Sequence, residues 1–292
     1  MGFRDEFAAI IQAGQPLAPF THLRIGGPAE YLVAPRTRDE FARVVAACAA
    51  ERIPLRVLGV GTNLLVRDEG VTGVVVRMIA PEFTNVSVSG RTVKAGGGAT
   101  LLALIRAATT AGLAGFETLV GITATVGGAL RFNAGDRSGE IADHLTRVEV
   151  IDKAGKIVTR QRGDIRFGEH DSDLDDPVVL AVEFALEADD PDAIVKRMRR
   201  AWINRKADQP LSHQSAVRVF RNPQGQTAAH LIERAGLVGS RVGAATVSDR
   251  NANYIVAQPG TTAADVIALA DKMRSTVRNA SGVTLEQELK VW

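Results

Sequence analysis

Three glycine-rich breaks interrupt a regular alternation of strand-like and helix-like segments, and they constrain the fold more than any other feature of the chain. The first, Gly59-Val60-Gly61-Thr62-Asn63, is flanked by the apolar runs 55–58 and 64–66. The second, Gly96-Gly97-Gly98, ends a predicted hairpin (85–88 and 92–95, turning at Ser89-Gly90) and opens a predicted helix over 101–111. The third covers 121–139 and is short of charge. Glycine allows left-handed backbone and close approach of the main chain to a neighbour. A strand that runs into such a turn can aim successive N–H groups at a phosphate. Gly59 and Gly61 do not form a dinucleotide fingerprint, which needs a third glycine and a following helix. Nor do they form a P-loop, since no Gly-Lys-Ser/Thr follows. Taken alone, the turn reads equally well as a structural one. Three such loops in one mixed lobe suit an extended, diphosphate-bearing cofactor.

The intervening pattern is mixed. Residues 38–52 read as an amphipathic helix with Phe41, Val44, Val45 and Cys48 on one stripe, stopped by Pro54. Strands are predicted at 73–76, 145–152, 157–160 and 178–186. Asp189-Asp190-Pro191-Asp192 starts a basic helix over 193–206, whose Lys196, Arg197, Arg199, Arg200, Arg205 and Lys206 read as a solvated face and whose position suggests a divider. Beyond a loop at Pro210 come strands near 216–220, 244–247 and 254–256 and helices at 227–235 and 262–275.

Several function classes are excluded. Thirty-five basic residues against 33 acidic ones leave +2, and aromatics are 5%, so neither a phosphate-gripping field nor a base-stacking platform for nucleic acid is expected. Cys48 is the single cysteine, which rules out an internal disulfide and argues against zinc or iron–sulfur ligation. No run reaches the roughly 18–20 apolar residues of a membrane span. The first residues lack the basic flank of a signal peptide, so a cytoplasmic location is expected. His22, His144, His170, His213 and His230 stand at no metal-ligand spacing, and no metal is expected. The acidic run 171–176 lacks the glycine and final glutamate of a calcium loop and reads as a solvated turn.

Longer motifs carry a resemblance. THLRIGGPAEYLVAP (21–35), RVLGVGTNLLVRDEG (56–70), GITATVGGALRFNAG (121–135), FRNPQGQTAAHLIERAGLVGSRVGAATVS (220–248), NANYIVAQPGTTAADVIAL (251–269) and LEQEL (285–289) together resemble the UDP-N-acetylenolpyruvoylglucosamine reductase family, in its shorter subgroup. The resemblance covers about 15–292. It implies an α+β fold: an FAD-binding region of the vanillyl-alcohol-oxidase/p-cresol methylhydroxylase type over 16–190, in two subdomains, and a C-terminal α+β substrate lobe over 191–292. It also implies non-covalent FAD, NADPH as hydride donor and a sugar-nucleotide substrate in peptidoglycan precursor synthesis. No protein partner can be inferred.

Residue by residue, Gly59, Val60, Gly61, Thr62 and Asn63 match the loop that holds the FAD pyrophosphate. Ile122, Thr125, Val126, Gly127 and Gly128 match the segment beside the flavin, and Asn222 matches a substrate-binding asparagine. In the family, hydride passes through the flavin to the vinyl carbon of an enolpyruvyl ether. The resulting enolate-like species is held by an arginine and a glutamate and protonated by a serine. Glu288 matches the glutamate. Arg218 stands where the serine belongs, and His170 where the arginine belongs; the family's His-Ala-Asn is Asn251-Ala252-Asn253. Arginine cannot donate the proton at ordinary pH. Two readings follow. Either the roles are exchanged, with Arg218 binding the anion and His170 or Glu288 giving the proton, or the chain is an FAD-binding paralogue without this activity.

Overall fold

The computed structural model describes residues 2–136, 138–209 and 215–292; Pro210 and His213 lie outside the described residues. The chain forms two compact units, each assembled from separated stretches: 1–13, 31–59 and 72–205 in the first, 14–30, 60–71 and 206–292 in the second.

At the centre of the first unit is a five-stranded antiparallel sheet in the order Ile157–Gln161, Leu145–Ile151, Val178–Ala185, Thr92–Gly96, Val86–Ser89. The middle strand is buried except at Glu183 and Ala185 because both of its faces are covered. A bulge at Leu180, where the register shifts between Glu149 and Val150, divides its side chains between two cores. Val179, Val182 and Phe184 join the core beneath helices Leu101–Thr110 and Val126–Arg131. Val178 and Leu180 join Phe41, Val44 and Phe83, the core beneath helix Arg38–Ala50. That helix begins where the pattern predicts: the Thr37 hydroxyl accepts from the Glu40 N–H, and Asp39 and Glu40 face the positive end of its dipole. Its Cys48 is 2% exposed, and burial, reinforced by the Glu51 charge, pushes the thiol pKa up to about 12. The folded protein should therefore resist thiol reagents at mildly alkaline pH and become labelled only on unfolding, as mass spectrometry would read; rapid native labelling would contradict this.

The Gly96-Gly97-Gly98 break departs from the expectation of a ligand loop. Cβ atoms at these positions would lie 2.1, 1.9 and 2.1 Å from the carbonyl oxygens of Phe83, Val179 and Met78, and the Gly97 N–H donates to Leu180 O at 2.8 Å. These glycines let backbones meet inside the unit, and that close packing by itself requires glycine at all three positions. Gly97→Ala is expected to cost about 3 kcal/mol of stability through this overpacking, measured by denaturant titration, and a stability change near zero would refute it.

The basic helix is Pro191–Asp208, and its stretch up to Arg205 belongs to the first unit. Part of its basic face is committed to internal contacts rather than solvated. Arg197 pairs with Glu117 and Asp189, and Arg205 donates to the carbonyls of Val120 and Thr118 at 3.0 and 2.8 Å. The acidic run is likewise committed: Asp173, Asp175 and Asp176 pair with Arg166, Lys153 and Arg160.

The second unit carries a four-stranded antiparallel sheet, Ala216–Arg218, Tyr254–Ala257, Ala245–Val247, Arg241–Val242. Helices Ala228–Arg234 and Ala263–Ser281 pack on it through Leu231, Ile232, Val266, Leu269 and Met273. The longer helix has a capping box between Thr262 and Asp265 and stops at left-handed Gly282. Leu64–Leu65 runs parallel to Lys290–Val291, and Arg67 N–H donates to Trp292 O. Among the described residues no helix is long and apolar enough to cross a membrane.

Candidate active site

In the first unit, Gly59 and the 121–128 segment are neighbours. A Cβ on Gly59 would stand 2.8 Å from the Thr125 hydroxyl. That hydroxyl also accepts from the Gly128 N–H at 3.2 Å, capping helix Val126–Arg131. The N–H groups of Val126 and Gly127 are used internally, by Ala99 O and Gly97 O at 2.8 and 2.9 Å. What this segment offers a ligand is therefore its half-exposed backbone surface at Ile122, Thr125, Gly127 and Gly128 rather than a helix N-terminus.

The C-terminal end of this helix is hydrogen-bonded to a hairpin further along the chain, Phe167–Gly168 against Asp171–Ser172, with Glu169 and His170 as its two-residue tip. His170 has φ +52°, a value usually left to glycine or asparagine at that turn position. Among the described residues its imidazole forms no hydrogen bond and is half-exposed.

In the second unit, Val60 to Asn63 form a tight turn. Gly61 has φ +66°, and a Cβ there would lie 2.6 Å from Phe20 O, while His22 N–H donates to Gly61 O at 3.0 Å. The turn is thus pressed onto the THLRIGG segment, which explains the close approach required of Gly61. Among the described residues the N–H groups of Val60, Gly61 and Asn63 have no acceptor, and all three residues are half-exposed. Successive free donors in a turn form a nest for an anion, so these residues fit the diphosphate of FAD.

The same loop is tied to the candidate glutamate. Asn63 Nδ2 donates to Glu288 O at 3.3 Å, and Lys290 N–H donates to Asn63 O at 3.2 Å. The Glu288 N–H donates to Val219 O at 2.8 Å, one residue past Arg218. Across this short span Arg218 Nε stands 3.3 Å from Glu288 Oε2, with the side chains 26% and 13% exposed. Glu288 Oε2 is buried and has no hydrogen-bond partner. The ion pair with Arg218 is its compensation. Asn253, from the altered Asn-Ala-Asn motif, is buried and braces the strand by accepting from Phe220 N–H and donating to Phe220 O. Asn222 is exposed; its Oδ1 accepts from Ala228 N–H at 3.0 Å, and its amide N–H groups have no acceptor among the described residues.

The structure thus gathers Arg218, Glu288 and Asn63 in one framework, and Gly59, Thr125 and Gly128 in another. Two residues were not read as site-supporting in the sequence: Asn133, buried behind the His170 hairpin, and Arg205, there assigned to a solvated face and here holding the loop leading to Ile122. The signal for Asn133 was an asparagine directly after a helical stretch, a position where left-handed backbone is common.

Fold and site together define an FAD-binding oxidoreductase with the vanillyl-alcohol-oxidase type of fold. A family model described as "FAD binding domain" matches residues 29–160. Another, "UDP-N-acetylenolpyruvoylglucosamine reductase, C-terminal domain", matches 209–292. A UDP-N-acetylenolpyruvoylglucosamine reductase 2 of Symbiobacterium thermophilum is 42% identical over 97% of this chain and 92% of its own. The UDP-N-acetylenolpyruvoylglucosamine reductase of Streptococcus pneumoniae is 39% identical over 100% and 98%. The crystal structure of the reductase of that kind from Thermus caldophilus aligns with a TM-score of 0.83 at 37% identity, covering 97% of this chain and 98% of that one. A variant of Phl p 4, a glucose dehydrogenase, aligns over 65% of this chain with a TM-score of 0.50 at 18% identity and shares the fold alone. The chain belongs to the UDP-N-acetylenolpyruvoylglucosamine reductase family.

Proposed function

We propose that this protein reduces UDP-N-acetylglucosamine enolpyruvate to UDP-N-acetylmuramate, acting in the cytoplasm on peptidoglycan precursor synthesis. NADPH is the donor and FAD is bound without a covalent link. The observation that carries the proposal is the Arg218–Glu288 pair, held beside the Asn63 loop on a domain that matches the reductase family. In the net reaction NADPH becomes NADP+, and the enolpyruvyl double bond gains a hydride at one carbon and a proton at the other. FAD, when bound, supplies the hydride relay between nicotinamide and substrate.

The chain's residues supply the remainder. Val60, Gly61 and Asn63 N–H groups, with Gly59 and Thr62 shaping the turn, bind the diphosphate. Ile122, Thr125, Val126, Gly127 and Gly128 form the surface beside the flavin ring. The region 16–190 serves the cofactor and 191–292 the sugar nucleotide, where Asn222 donates to the substrate. Arg218 places a permanent positive charge where the enolate develops. Glu288 holds the guanidinium in place, and His170 delivers the proton. Arg218 and His170 therefore exchange the roles of charge and proton donor expected at their positions. The test is NADPH oxidation by the purified yellow protein with and without the enolpyruvyl sugar nucleotide. Substrate-dependent oxidation supports the proposal. A flavin-bound protein without it would point to a flavoprotein of other function, and a colourless protein unable to take up FAD would overturn both.

A further inference from the structure

Two left-handed residues sit back to back in the first unit, and one of them is not explained by the turn it occupies. Four non-glycine residues among those described have positive φ: Arg24, Arg52, Asn133 and His170. Asn133, with φ +42°, follows helix Val126–Arg131. Its N–H donates to Leu130 O at 3.0 Å, and Ala134 N–H donates to Ala129 O at 2.8 Å. This is a Schellman ending, where glycine is the usual residue because it has no Cβ to crowd. The backbone alone would favour glycine. The asparagine side chain must therefore serve another need.

That side chain is buried to 1% exposure, and its Nδ2 donates both to Gly168 O at 3.0 Å and to Glu140 Oε2 at 2.5 Å. Gly168 is the residue through which the chain enters the Glu169–His170 tip. On the other side of the tip the Ser172 hydroxyl donates to Arg131 O at 2.8 Å, using a carbonyl that the end of the helix leaves open. The Arg131 guanidinium then fixes the outgoing chain at Leu174 O and Asp176 O, at 2.8 and 2.7 Å. Beneath the tip, Arg166 and Asp173 close the hairpin with a two-point contact. The backbone on both sides of His170 is thus held, while its imidazole forms no hydrogen bond among the described residues. Asn133 Oδ1 is buried without a partner, a cost retained where the side chain is kept for the work of its other end.

We infer that Asn133, with Ser172, is a positioning residue that fixes the left-handed His170 turn. The inference rests on His170 acting as the proton donor proposed above. The same short helix begins at Thr125 and Gly128 and ends at Asn133, so it is one rigid strut between the flavin-side segment and the proton donor. A displacement of about 1 Å in such a group costs on the order of a hundredfold in rate.

The experiment uses Asn133→Gly, which suits the helix ending and removes the ties to Gly168 and Glu140 together, and Ser172→Ala, which leaves Glu140 untouched, as an independent variant. Both are compared with wild type by side-chain NMR of His170 and by steady-state kinetics of the FAD-loaded enzyme. The expected result is a shifted or broadened His170 signal, a displaced pH profile and kcat lower by roughly ten- to a hundredfold. KM for NADPH and the flavin spectrum should stay as in wild type. Ser172→Thr, which keeps the hydroxyl, should restore most of the loss. An unchanged His170 signal and pH profile in both Asn133→Gly and Ser172→Ala would overturn the inference. A wild-type protein with no turnover would instead count against the proton-donor reading, and the His170 signal alone would then decide whether Asn133 fixes the turn.

Discussion

Replacement of His170 by alanine is expected to lower kcat by about 10²- to 10⁴-fold, the usual contribution of a positioned general acid, while the protein remains yellow. Reduction of the enolpyruvyl group needs a proton as well as a hydride, and Arg218, at the position of the expected donor, keeps its protons at any working pH. Glu288 is engaged by the Arg218 guanidinium at 3.3 Å. His170 is left as the uncommitted acid, on a half-exposed hairpin tip with no hydrogen bond among the described residues. Its removal opens no cavity in a core, so stability should change little and the flavin spectrum should stay. His170→Gly relieves the positive φ and separates the two effects: the fold should gain slightly, and turnover should still be lost. Near-normal kcat in either variant would sink the assignment.

Glu288→Ala is expected to remove both activity and stability. It strips the counter-charge from an arginine whose side chain is only 26% exposed. Breaking a fully buried pair costs about 3–5 kcal/mol; partial access to water reduces that here to roughly 1–3 kcal/mol. Turnover should fall by at least about a hundredfold, because Arg218 would lose the partner that fixes its guanidinium where negative charge develops. Glu288→Gln, which keeps the volume, should fold nearly as well as wild type and yet be slow. Adding Arg218→Ala to Glu288→Ala should recover part of the lost stability and none of the activity. Strictly additive destabilisation in that double-mutant cycle would show that the two side chains do not interact.

Local elements were legible where a single periodicity governed them. Helix Arg38–Ala50 showed its buried stripe, and the strands of the five-stranded sheet showed as short apolar or alternating runs between turns. Bulged Leu180 is a different matter, since the register shift depends on the partner strand and leaves no mark in a continuous apolar run. Gly96-Gly97-Gly98 looked like a ligand loop because composition cannot distinguish a backbone that approaches a cofactor from one that approaches Val179. The Val60–Asn63 turn was legible as a phosphate-binding candidate from its glycines, but its tie to Glu288 was not. That tie joins residues more than two hundred positions apart, and no local pattern encodes such a contact. Arg218 and His170 stood out only as departures from a family pattern; their physical settings, an ion pair and an open hairpin tip, belong to the folded chain.

The parallel pairing of Leu64–Leu65 with Lys290–Val291 has a consequence for how the chain is made. Every stretch of the first unit has been synthesised once Arg205 is in place, whereas the second unit draws on residues 60–71 and on the last residues of the chain. At about 5–20 residues per second, Leu64 and Leu65 wait on the order of ten to forty seconds for their partner strand to be made. During that interval Leu23, Ile25 and Leu65, which end in the second unit's core, have not yet acquired the residues that bury them. Translation thus builds the two halves of this protein in sequence, and the half that carries the Arg218–Glu288 pair is completed last, after an interval in which part of its core is open to chaperones and proteases.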